Sequence, residues 1–145
     1  MKREIKFRVW SKKHSQWMNH CAVIDCNGNI GSRFIEVKPN QEIVEHIVNL
    51  SPDENIIQLF TGLLDKNNKP IYEGDIVEYN SKCDITYSKP GIVSIGEYFN
   101  GGGTDKIYHY GVRVKRLDMK DCYFGLNEKD KNYLIIGNIF QNPEL

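Results

Sequence analysis

The residues of this chain whose types could do chemistry are four cysteines, four histidines and a scatter of carboxylates. Their spacing decides what they can do. His20, Cys21 and Cys26 come nearest to a metal set. Zinc takes four nitrogen or sulfur ligands, ordinarily as two closely spaced pairs. Here Cys21-x4-Cys26 stands alone, and Cys83 and Cys122 have no neighbouring partner. The Asn27-Gly28 pair is a strong two-residue hairpin signal and accounts for the segment without a metal. No metal is therefore expected, and the cysteines read as packed or edge thiols. A cysteine nucleophile needs its thiolate held by a histidine or another cation, and no local motif ties His109 to a cysteine.

The remaining chemical motifs fail on their own requirements. Gly101–Gly103 invites a phosphate-loop reading, but a Walker loop ends in Gly-Lys-Ser/Thr and opens a helix. Here Thr104-Asp-Lys106 leads into a strand pattern, as in a hairpin loop. Asp65, Asn67 and Glu73 sit at calcium-loop spacing, yet the sixth position is Pro70 instead of glycine and the twelfth is Ile76 instead of glutamate. Glu73 and Asp75 flank Gly74 and could pair as acid and base. Carboxylates in such a phrase more often accept backbone N–H groups at a bend, and Gly74 permits the bend. No catalytic residue and no cofactor is expected, and the chain reads as a non-enzyme.

One constellation points to binding. His109, Arg113 and Lys115 share one face of a strand, with Arg116 and Lys120 following. Tyr108, Tyr110, Val112 and Val114 take the other face. Small β-barrels hold single-stranded nucleic acid with a basic track and stacking aromatics, and Lys2, Lys6 and Arg8 could extend such a track. Lys+Arg and Asp+Glu both total 19, however, so the formal charge is zero. That balance favours tyrosines packed inward and solvated basic residues, leaving nucleic acid as the alternative partner and not the favoured one.

The elements that must position these residues are mostly strands. Residues 4–10 alternate, with Ile5, Phe7 and Val9 on one face and Lys6 and Arg8 on the other. Cys21–Ile24 and residues 34–37 read as further strands. Asn40 is placed to cap a helix over residues 40–50, where Ile43, Val44, Ile47, Val48 and Leu50 form an apolar stripe. From Ile56 onward strands are expected at 56–60, 71–79, 91–98, 107–116, 122–126 and 133–139, separated by turn residues. The fold class is thus mainly β with minor α. An N-terminal α+β part with one short helix, residues 1–52, precedes a small SH3-like β-barrel, residues 53–145.

At 145 residues, 40% hydrophobic and 26% charged, the chain is an ordinary globular mix with enough apolar material for a core. No run of about 18 apolar residues is present, and residues 1–6 lack the apolar core of a signal peptide. A cytoplasmic protein with reduced thiols and no membrane contact is expected. Near-neutral charge and short exposed strand edges favour association between copies.

Four segments carry a resemblance to a known group. They are Arg3-Glu-Ile-Lys-Phe-Arg-Val-Trp10, residues 58–77 with Thr61-Gly62-Leu63 and Ile71-Tyr-Glu-Gly-Asp75, Ile135-Ile-Gly-Asn-Ile-Phe140, and Asn142-Pro-Glu-Leu145. Together they resemble the YopX family of phage and prophage proteins from one end of the chain to the other. The turn Asp65-Lys-Asn-Asn68 departs from the Asn-Gly pair more typical there, but Asn tolerates the left-handed conformation such a turn needs. The resemblance marks Gly62, Tyr72, Gly74, Asp75, Gly137 and Asn138 as structural-motif residues. It implies a β-rich homo-oligomer with a barrel-like C-terminal part in a bacterial host cell, an unknown host or phage protein as partner, and no particular reaction.

Overall fold

The structure is a computed structural model that describes residues 6–18, 21–25, 27, 29–79, 89–100, 107–120, 122–126 and 132–144. Among these residues every regular element is a strand, twelve in all, and there is no helix. The chain divides into two compact units, Lys6–Gln58 and Leu59–Leu145.

The first unit holds β1 (Phe7–Ser11), β2 (Gln16–Trp17), β3 (Cys21–Ile24), β4 (Ile30–Val37), β5 (Ile43–Asn49) and the opening of β6 (Asn55–Leu64). β1 and β2 form a short antiparallel pair that sets Trp10 opposite Trp17. Their rings meet edge-on at 5.0 Å, and the Arg8 guanidinium lies 4.1 Å above Trp17. β3, β4 and β5 form an antiparallel sheet in that order. The first hairpin is held by the Asp25 carboxylate, which accepts the N–H groups of Asn27 and Asn29, both at 2.8 Å.

The helix expected over residues 40–50 is instead β5, so the N-terminal part is all β, without the α element. The reasons are local. β-branched residues such as Ile43, Val44, Ile47 and Val48 lose rotamer freedom in a helix and fit a pleated surface. Asn40 does accept a backbone N–H, from Glu42 at 3.1 Å, but as an Asx turn inside the β4–β5 hairpin. Lys38 N–H donates to the Glu42 carbonyl at 2.9 Å and Gln41 takes φ +64°, closing the turn. The charged residues of β5 then find cross-strand partners on β4. Arg33 donates to Glu45, and His46 meets Glu36 at 2.8 Å.

The second unit continues β6 and adds β7 (Pro70–Tyr72), β8 (Asp75–Tyr79), β9 (Gly91–Asn100), β10 (Ile107–Arg116), β11 (Tyr123–Gly125) and β12 (Tyr133–Asn138). The single strand expected over 71–79 is split at Glu73-Gly74, where Gly74 takes φ +77°. Five strands form one antiparallel sheet, β11-β10-β9-β8-β12. Its core face carries Val77, Val93, Val114, Leu126 and Tyr133, with Ile71 of β7 and the half-buried Phe124 and Ile135 packed in. Phe124 and Tyr133 sit on opposite edge strands, yet their rings stack 6.3 Å apart. A flat sheet would separate its first and fifth strands by roughly 19 Å, so this one curls into a half-barrel around its core.

β7 pairs back on the later residues of β6, Phe60 opposite Tyr72 and Leu64 opposite Pro70, with a register shift between. Gly62 lies in that shift at φ +87°, and a Cβ there would meet nothing within 4 Å. Backbone conformation alone therefore calls for glycine at this position. The Thr61 hydroxyl bridges the shift, donating to the Ile71 carbonyl at 2.7 Å and accepting Leu63 N–H at 3.2 Å. In the β6–β7 turn Asn68 takes φ +61°. The buried Asp65 carboxylate accepts the N–H groups of Asn67 and Lys69 and reaches Ile135 N–H on β12.

Candidate functional site

Glu73-Gly-Asp75 ends β7 and opens β8, and it meets Gly137-Asn138 at the end of β12. Asp75 and Asn138 are both buried. Asp75 Oδ2 accepts Tyr72 N–H at 2.8 Å, and its Oδ1 accepts the Asn138 amide Nδ2–H at 3.0 Å. Asn138 Oδ1 accepts Phe140 N–H at 3.1 Å, while Ile139 N–H donates to the Gly74 carbonyl at 3.0 Å. A β-bulge between Ile135 and Gly137 brings Gly137 opposite Ile76 and Asn138 opposite Asp75. This buried clasp joins two separated stretches of chain, and every polar group named in it is bonded.

The basic residues lie on the outer face of β9-β10-β11. His109 stands opposite Tyr98, and their rings stack at 5.4 Å. The Tyr98 ring reaches across Gly111 to lie on Gly125, where a Cβ would come within 2.4 Å of it. Arg113 folds over Gly96, its Nε–H donating to Ser94 Oγ at 3.0 Å and its Nη1–H to the Glu97 carbonyl. Its guanidinium carbon lies 4.4 Å from the Tyr123 ring centre, and exposed Lys115 places Nζ 6.0 Å from the same ring. Glycines facing these side chains let a tyrosine and a guanidinium lie flat on the sheet, so the outer face carries a partly pre-formed platform of planar groups.

By alternation Arg116 falls with Val112 and Val114 and so lies on the other face of β10 from that platform. Its guanidinium grips Asp118 through Nε–Oδ1 at 2.8 Å and Nη2–Oδ2 at 2.6 Å. Its hydrogen bond holds the Asp118 carboxyl below the usual carboxylate range. On that same face of β10, Val114 is fully buried and Val112 packs beside it, but Tyr110 is exposed instead of turned inward. Tyr98 and Tyr123 complete the platform, and no local motif marks either of them. The available signal was glycine at 96, 111 and 125 in segments otherwise rich in aromatic and β-branched residues.

A second surface lies on β5, the outer strand of its sheet. Ile43, Ile47 and Val48, with Val37 of β4, are between 50% and 69% exposed. Lys38 N–H donates to Glu42 O, and Leu50 N–H donates to Ile30 O. Bonds alternate along an antiparallel pair, so even-numbered residues of β5 face β4 and odd-numbered residues turn their N–H and C=O groups outward.

Among the described residues no three His, Cys, Asp or Glu side chains converge as a metal set. His20, Cys26, Cys83, Gly101–Gly103, Lys2 and the side chains of Cys21 and Tyr108 lie outside the described residues. No helix of the described residues is long and apolar enough to cross a membrane.

The family model described as YopX protein matches residues 6–145. Among solved structures, the chain is similar to that described as "Crystal structure of protein EF1440 from Enterococcus faecalis", with a TM-score of 0.53 and 23% sequence identity. The likeness covers 99% of this chain and 98% of that one, and at this identity it concerns the fold alone. No curated protein matches the chain in sequence.

Proposed function

This chain belongs to the YopX family, and on that premise we propose that it is a phage- or prophage-derived interaction module, without catalysis or cofactor, that assembles with copies of itself along β5. In this reading the curled sheet of the second unit is an SH3-like barrel frame, and the assembly works in the bacterial cytoplasm, presenting a β surface to a host or phage protein. The observation that carries the proposal is the exposed apolar edge formed by Ile43, Ile47 and Val48. Sheet edges are ordinarily blunted by lysine, proline or a bulge, and none of these interrupts β5. Its charged residues, Glu45 and His46, are engaged with β4.

A two-fold antiparallel pairing centred on Ile47 sets Ile47 against its own copy and Glu45 against Asn49. A pairing centred on Glu45 would set two carboxylates together, which is destabilising. The first register is therefore the one assigned. Size-exclusion chromatography with light scattering tests it. The wild-type protein should elute as an oligomer at micromolar concentration, and Ile47→Lys should shift it to monomer with its circular dichroism intact. Leu117→Lys, at an exposed apolar residue of the other unit, should leave the assembly unchanged. A wild-type monomer would sink the proposal.

The platform of Tyr98, His109, Arg113, Lys115 and Tyr123 supports a second reading, single-stranded nucleic-acid binding. Stacked planar groups beside free cationic ends are what such sites use. A labelled oligonucleotide titrated at low and moderate salt should bind more weakly as salt rises. Lys115→Ala should reduce the salt slope by about one phosphate contact. Absence of binding at low salt would remove this reading.

A further inference from the structure

We propose that the first unit binds a small zwitterionic ligand, an amino acid or short peptide with free ends, in the cavity beside the β1–β2 hairpin. The cavity, of about 520 Å³, is bounded by Ser11, Lys13, His14, Gln16, Trp17 and Met18 on the hairpin side and by Leu50, Glu54 and Asn55 opposite. That size falls among ordinary small-ligand sites. All of these residues belong to one compact unit. The inference does not depend on how β5 associates.

Two polar side chains in the wall are more than nine-tenths buried, Ser11 at 5% and Asn55 at 8% exposed. Ser11 Oγ accepts His14 N–H at 3.4 Å, and Asn55 Nδ2–H donates to the Ser51 carbonyl at 2.9 Å. Among the described residues this leaves the Ser11 hydroxyl proton and Asn55 Oδ1 unengaged, one donor and one acceptor on the cavity wall. Among the described residues no fully buried side-chain polar atom lacks a partner, so Asn55 Oδ1 is reached by solvent, and together with the Ser11 hydroxyl it can serve a guest that both accepts and donates.

The rim and walls define that guest further. Exposed Lys13 supplies positive charge at one side, exposed His14 adds ring nitrogens beside it, and exposed Glu54 supplies negative charge. Trp17, Met18 and Leu50, all half-buried, provide an apolar wall. A free carboxylate suits Lys13 and His14, a free ammonium suits Glu54, and an apolar side chain suits the wall. An inorganic anion would leave Glu54 opposed to it, and an apolar guest would leave the Ser11 and Asn55 groups unmatched.

The two tryptophans of the chain are Trp10 and Trp17, in contact with each other, so intrinsic fluorescence reports on this cavity. The full-length protein should show a saturable emission change with leucine or the dipeptide Leu-Leu at millimolar concentration or below. Whichever of the two binds more tightly identifies the source. C-terminal amidation or N-terminal acetylation should each weaken binding about tenfold or more, the value of a charge-assisted hydrogen bond. Lys13→Met should abolish the preference for the free carboxylate, and Glu54→Gln the preference for the free amine. Both residues are exposed, so these variants should fold. Absence of a saturable change with either probe would overturn the proposal, as would equal affinity for blocked and free peptides.

Discussion

Asp75→Ala is expected to cost about 2–6 kcal/mol of stability, since it strands two donors, Tyr72 N–H and the Asn138 amide, at about 1–3 kcal/mol each. Set against a typical domain stability of roughly 5–15 kcal/mol, that loss would leave the second unit marginal. Urea unfolding followed by circular dichroism measures it as a lower midpoint. Asp75→Asn should fall between, because one side-chain oxygen still accepts a bond while the amide faces a donor. Asn138→Ala should also be severe, since it deprives a buried carboxylate of a partner and Phe140 N–H of its acceptor. An unchanged midpoint for Asp75→Ala would mean that the clasp does not hold the sheet.

Gly91→Ala is expected to be nearly as disruptive, for a different reason. A Cβ on Gly91 would lie 2.3 Å from Val114 Cγ1 and 2.9 Å from the Lys115 carbonyl oxygen. Val114 is fully buried and the carbonyl belongs to the β-ladder, so neither can withdraw cheaply. Overpacking of this kind costs about 1–3 kcal/mol, sometimes more. Adding Val114→Ala should recover part of the loss, giving a favourable coupling in a double-mutant cycle. Gly125→Ala makes a close contact too, but with the ring end of Tyr98, which can swing outward, so its effect should be smaller. A change for Gly91→Ala within about 0.5 kcal/mol, as at an ordinary surface site, would contradict the packing argument.

How much of this was legible in the sequence varies by element. β3 and β10 fall on the residues whose alternation and β-branched content marked them, Cys21–Ile24 and Ile107–Arg116. At β5 the apolar residues at 43, 44, 47 and 48 satisfy helical spacing as well as a strand exposed on both faces, so periodicity does not separate the two. Asn40 offers the same side-chain bond to a helix start and to an Asx turn. The partners of Glu45 and His46, which favour the strand, lie on β4 and emerge only from its register. In the clasp, the bend was visible in Gly74. The Asn138 that meets Asp75 lies 63 residues away, a distance no local pattern spans. The platform was half legible, because Arg113 and Lys115 follow from alternation. Tyr98 and Tyr123 reach them through strand pairing and through glycines that leave room.

The same long separation sets an order of assembly. β9 and β10 pair over ten consecutive positions, from Gly91 opposite Arg116 to Asn100 opposite Ile107, as neighbours along the chain. β12 joins β8 only by closing a loop that contains both of those strands and β11 as well. Loop-closure entropy rises with length and must be met before distant contacts can stabilise anything. The β9–β10 hairpin is therefore the natural seed, and β12 docks against a surface that already exists. Asp75 and Asn138 then act as a latch, engaged in the last stage of folding and released in the first stage of opening.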